Sequence, residues 1–126
     1  MANEIEVEYE QEFRTWRKDY ANARLPGGES VQEVYERVVP FVKKIAKEND
    51  GLTLLIASHA SPIRAIDCNS RGYGWERMSE VPFVNNSAIS IFEYDPNTDS
   101  ISLIERNITE HLDPSIMSYI PKGLRN

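Results

Sequence analysis

The sequence predicts an α/β domain, and three features carry that expectation. Two stretches with helical apolar spacing come first, one from Ile5 to Ala23 and one from Ser30 to a stop at Asn49-Asp50-Gly51. A short continuous apolar run, Leu52 to Ser58, follows and leads straight into His59. Two alternating segments then read as a β-hairpin. At 126 residues the chain is the size of one domain, and two do not fit.

In the first stretch Ile5, Tyr9, Phe13, Trp16 and Tyr20 recur at spacings of three and four, which makes one helical stripe with charged residues on the other faces. Pro26-Gly27-Gly28 ends it, because proline and two glycines let the backbone bend sharply. Ser30 followed by Glu33 is a capping box, so the second helix starts at once. Val31, Val34, Tyr35, Val38, Val42 and Ile45 form its buried stripe, and Pro40 is expected to bend it without abolishing it.

Leu52–Ser58 is apolar at nearly every position, the pattern of a strand covered on both faces and therefore parallel and central. Pro62 suits the first turn of a following helix that continues from Ile63 to Cys68. Residues 70–82 read as an irregular loop with one short helical piece. Residues 88–94 and 100–105 alternate cleanly around Asp95-Pro-Asn-Thr-Asp99, which gives the hairpin. The tail from Asn107 to Asn126 is weakly patterned and reads as coil with a turn of helix.

Composition narrows the function. Fourteen Lys and Arg against 20 Asp and Glu leave a net charge of -6, which argues against a non-specific nucleic-acid binder. A small anion is still acceptable, because charges beyond roughly 8–10 Å are screened. The single cysteine, Cys68, excludes an intramolecular disulfide and a multi-Cys zinc module and suits a reducing compartment. Five glutamates among the first twelve residues are unlike a signal peptide, and no apolar run approaches the ~20 residues that span a bilayer. The expected location is cytoplasmic, with no membrane and no nucleic-acid partner.

Ligands of α/β proteins sit outside the carboxyl ends of parallel strands, and that is where His59 falls. Ser58 is not a hydrolase nucleophile, since Ile-Ala-Ser-His-Ala lacks the Gly-x-Ser-x-Gly elbow. Arg64, five residues after His59, points either to a ligand or to solvent. Arg37 reads as a structural ion-pair partner, and Tyr73 and Trp75 as candidates for a substrate loop.

Several short matches then fall in one order. Trp16 and Asp19 come first, then Pro26-Gly27-Gly28-Glu29-Ser30 with Arg37 seven residues on. Leu54-Leu55-Ile56-Ala57-Ser58-His59 follows, then Asn86-Ser87-Ala88-Ile89-Ser90, and finally Asn107 with His111-Leu112. Together they resemble the later part of the histidine phosphatase family, the phosphoglycerate mutase-like group of phosphomonoesterases and mutases.

The resemblance implies a three-layer α/β/α sandwich, here incomplete, with the β-hairpin at its C-terminal end. It implies hydrolysis or transfer of phosphate from a small phosphorylated metabolite through a phosphohistidine, with no cofactor and no metal. In that family a nucleophilic His in an N-terminal Arg-His-Gly motif attacks phosphorus. Two Arg and a second His hold the phosphoryl oxygens, and a Glu protonates the leaving oxygen. By resemblance His59 is the second, phosphate-stabilising histidine. The family's usual Gly after it is Ala60 here, whose backbone amide still donates to phosphate provided the backbone needs no positive φ. Glu29 and Ser30 match the family's Gly-Glu-Ser segment, as substrate contacts or as a cap and turn.

No Arg-His-Gly occurs in the sequence, which has two histidines, so the nucleophile, its Arg neighbours and the acid have no counterpart. Residues 1–126 are thus expected to be a single truncated histidine phosphatase-like domain, inactive in isolation. The strand that belongs beside Leu52–Ser58 is also lacking, and its loss is expected to expose apolar surface and promote pairing with another chain, self-association included. The rival reading is a non-catalytic anion-binding or partner-completed interaction module.

Overall fold

The computed structural model describes residues 9, 10, 14, 19–24 and 26–116. Most of the first expected helix, including Ile5, Phe13 and Trp16, lies outside the described residues; Glu10 and Arg14 are helical. Its expected end at Ala23 is corrected, because Tyr20–Asn22 is a 3-10 turn. The cause is local: the Asp19 carboxylate accepts both bonds from Asn22 Nδ2, at 3.1 and 2.9 Å, and such side chain-to-neighbour bonding competes with helix continuation.

Helix α1 runs from Val31 to Glu48. Both halves of the capping box form: Glu33 N donates to Ser30 Oγ at 3.2 Å, and Ser30 N donates to Glu33 Oε2 at 2.7 Å. Pro40 sits inside the helix without ending it. Asn49 closes the far end, its Nδ2 donating to Ile45 O at 2.8 Å, and Gly51 then takes the left-handed φ of 77° that a side chain would disfavour.

Helix α2 runs from Ala60 to Ser70, with Pro62 in its first turn. A 3-10 stretch, Trp75–Glu80, supplies the short helical piece in the loop that follows. Strands β1 (Ile89–Asp95) and β2 (Ser100–Ile108) pair antiparallel as the hairpin. Tyr94 stands opposite Ile101 and Phe92 opposite Leu103, and the register shifts around Ile91. The core gathers where α1, α2, the 3-10 stretch and β2 meet: Val38, Ala65, Cys68, Met78, Val81 and Ile101 are buried there.

Leu52–Ser58 departs from expectation. It forms no strand, and every residue in it is exposed, Leu52 by 70% and Leu55 by 95%. A central strand needs a neighbour on each side to take its backbone bonds. Among the described residues the hairpin is the whole sheet, and neither of its strands pairs with this run. The described fold is therefore helices plus a two-stranded antiparallel sheet, and the expected parallel central strand is not formed.

The candidate anion site at the start of helix α2

His59 is the N-cap of α2, with extended backbone (φ -113°, ψ 168°), and its side chain makes no capping bond. Its carbonyl accepts the first helical bond, from Ile63 N at 3.1 Å. The imidazole is exposed. The amides of Ala60 and Ser61 open the helix at its positive end, while Pro62 has none to offer. Such a turn, with a histidine at its head, suits the oxygens of an anion. Ala60 lies in ordinary helical backbone, so nothing there demands glycine.

The turn is held from behind. Tyr20 OH and Ser61 Oγ share a hydrogen bond of 3.0 Å across 41 positions of chain. The Arg64 guanidinium lies 4.7 Å from the Tyr20 ring centre and 4.2 Å from that of Phe83, and the two rings meet edge to face. Arg64 Nη2 donates to Ser79 O at 3.0 Å and Arg64 Nε donates to Val81 O. At 7% exposure Arg64 thus points neither to a ligand nor to solvent, but to carbonyls of the loop after α2. Burial lowers its pKa, with the neighbouring Tyr20 acting in the opposite direction.

One turn on, Asp67 is buried and takes two guanidinium groups, Arg71 Nε and Arg106 Nε, each at 2.7 Å. Arg106 also donates to Pro82 O. Sequence reading missed this network and the Tyr20–Ser61 link. A signal for Asp67 existed: a lone acid in the apolar run Ala65-Ile66-Asp67-Cys68 needs a partner.

The other candidates are engaged elsewhere. Glu29 accepts a two-pronged pair from Arg37, at 2.7 and 2.6 Å, which holds its carboxyl below the usual range. Ser30 caps α1, and no hydrogen bond joins either residue to His59 among the described residues. Tyr73 carries the Arg77 guanidinium 3.5 Å from its ring centre, and Trp75 opens the 3-10 stretch. His111 Nε2 lies 3.0 Å from Ser87 O, tying the tail to a turn where Ser87 has a left-handed φ of 60°. Burial, and then Asp67, push the Cys68 thiol up to about 11, which leaves it protonated and unreactive. Among the described residues no group of His, Cys, Asp and Glu gathers to hold a metal, and no helix is long and apolar enough to cross a membrane.

Residues 1–107 match the histidine phosphatase superfamily (branch 1). The chain belongs to that superfamily. It is similar to phosphoserine phosphatase 1 of Hydrogenobacter thermophilus, at 28% identity over 112 residues, which cover 89% of this chain and 52% of that protein. It is also similar to a 2,3-bisphosphoglycerate-dependent phosphoglycerate mutase of Cytophaga hutchinsonii, at 30% identity over 99 residues covering 75% of this chain and 46% of the mutase. The chain thus spans about half the length of these histidine phosphatase relatives.

Proposed function

We propose that these residues form the phosphate-stabilising half of a site for phosphomonoester hydrolysis or phosphate transfer on a small phosphorylated metabolite. His59 and the Ala60 amide hold phosphoryl oxygens at the head of α2, while Glu29 serves as the ion-pair partner of Arg37 and Ser30 as the cap of α1. The observation that carries this reading is the uncapped start of α2, with the exposed His59 ring at its head, in a chain of the histidine phosphatase superfamily.

The rest of the chemistry needs groups these 126 residues do not hold. Attack by an imidazole nitrogen on phosphorus makes an N–P bond as the ester P–O bond breaks, and the leaving oxygen takes a proton from a carboxylic acid. Water then attacks the phosphohistidine, releases phosphate and frees the ring. In this reading the His59 ring donates a hydrogen bond to the oxygens in both steps and is not the nucleophile. Alone, therefore, these residues bind phosphate weakly and turn over no ester. Strands from a partner that paired with Leu52–Ser58 would cover its exposed leucines.

Titration of the 126-residue chain with inorganic phosphate, followed by NMR, tests the binding claim. The expected result is a saturable shift of the Ala60 amide and the His59 ring that His59→Ala weakens by about tenfold or more. A chain whose Ala60 and His59 signals ignore phosphate, or whose His59→Ala variant binds it equally, overturns the reading.

A further inference from the structure

We propose that Tyr20 and Arg64 are positioning residues for the turn His59–Ser61, an inference that rests on the phosphate reading of that turn. An anion cradle works only if its donors are held before the anion arrives. The amide donors at the start of α2 are on its first turn, and that turn has no capping side chain of its own to hold it. What holds it comes from distant parts of the chain.

Tyr20 is the bridge. Its hydroxyl meets Ser61 Oγ in the first turn, and its ring lies against Arg64 in the second. Arg64 in turn fastens that second turn to the loop through Ser79 O and Val81 O, with Phe83 on the guanidinium as well. The charge of Arg64 is spent on carbonyls, so it does not clamp phosphate. Its planar fork suits this: lysine offers one point of attachment where arginine offers several in fixed directions. Asp19 completes the bracket by closing the 3-10 turn that presents Tyr20.

A bracket acting on the first turn differs from general packing in what it protects. The Ile63 amide closes the first turn on His59 O, and the Arg71 and Gly72 amides close the far end of α2 on Cys68 O and Asn69 O. Loss of the bracket frees the first turn locally, whereas loss of general packing lowers protection along the whole helix.

The test is amide hydrogen exchange by NMR on the 126-residue chain with Tyr20→Phe and Arg64→Lys. Tyr20→Phe keeps the ring and removes only the hydroxyl, so it reports even if Arg64→Lys unfolds. Expected is exchange at Ile63 faster by about tenfold in Tyr20→Phe while Arg71 and Gly72 change less than about threefold. Adding Ser61→Ala to Tyr20→Phe is expected to bring little further change, since the pair acts as one unit. Binding of inorganic phosphate weakens in step with exchange at Ile63. An unchanged Ile63, or an equal change along α2, overturns the positioning role. If the unmodified chain ignores phosphate while Ile63 responds as expected, the bracket stands as structure and the phosphate reading is what fails.

Discussion

Asp67 and Arg106, 39 positions apart in the chain, are joined by a charge-assisted hydrogen bond of 2.7 Å to a carboxylate whose side chain is 3% exposed. The second carboxylate oxygen takes Arg71 from within α2. The aspartate thereby ties α2 to β2, and through Arg106 to the carbonyl of Pro82. Removing it leaves two guanidinium groups facing a buried void. Asp67→Ala is expected to destabilise the chain by about 2–3 kcal/mol, less than for a fully buried pair because Arg71 and Arg106 keep some access to water. Urea unfolding checks this, and a change under about 0.5 kcal/mol counts against the tie.

The capping box makes a prediction in pH. The Glu33 carboxyl is held below its ordinary 4.5, chiefly by the backbone amide of Ser30. A carboxyl whose folded pKa is depressed adds stability above its unfolded pKa, and that stability is lost as pH falls through the folded value. Ser30→Ala is expected to cost about 1 kcal/mol at pH 7. Glu33→Gln, which keeps an acceptor but no titration, should flatten the acid side of the stability curve below pH 4.5 relative to the unmodified chain. Parallel curves would show that Glu33 adds no such term.

Cys68 is expected to resist thiol reagents. It is fully buried, and its pKa is raised to about 11. An aromatic disulfide reagent at pH 8 should label the native chain slowly and the urea-unfolded chain at the rate of a free thiol. Equal rates would place the thiol in water.

Leu55 offers the reverse case. At 95% exposure, Leu55→Lys should change the unfolding free energy of this chain by less than about 0.5 kcal/mol. A buried leucine would lose several times that. Light scattering should show less self-association for the variant, because the charge interrupts an exposed apolar run that invites pairing. A loss of about 2 kcal/mol or more would mean that Leu55 is packed after all.

What could be read in the sequence was what depends on near neighbours. Ser30 with Glu33 and the alternation around Asp95–Asp99 each involve residues a few positions apart, and both appear as expected. Leu52–Ser58 could not be settled that way, since an apolar pattern does not say whether these 126 residues hold a strand to pair with it, and here the run is exposed. Arg64 was illegible for a similar reason. Its partners are carbonyls 15 and 17 positions away, and every residue type has a carbonyl. The exposed head of α2 was legible as a location, because a strand-like run, a histidine and then a proline mark a helix start. How Tyr20 braces that start was not.

The division of labour proposed for the site is tested most directly by a phosphomonoesterase assay with a generic aryl phosphate. The 126-residue chain and its His59→Ala variant are compared at the same concentration, over a time long enough to detect a few turnovers. The expected result is no release above buffer for either, because phosphate is held but nothing attacks it. Sustained release by the chain that His59→Ala abolishes would contradict it, since the nucleophile would then lie within these residues.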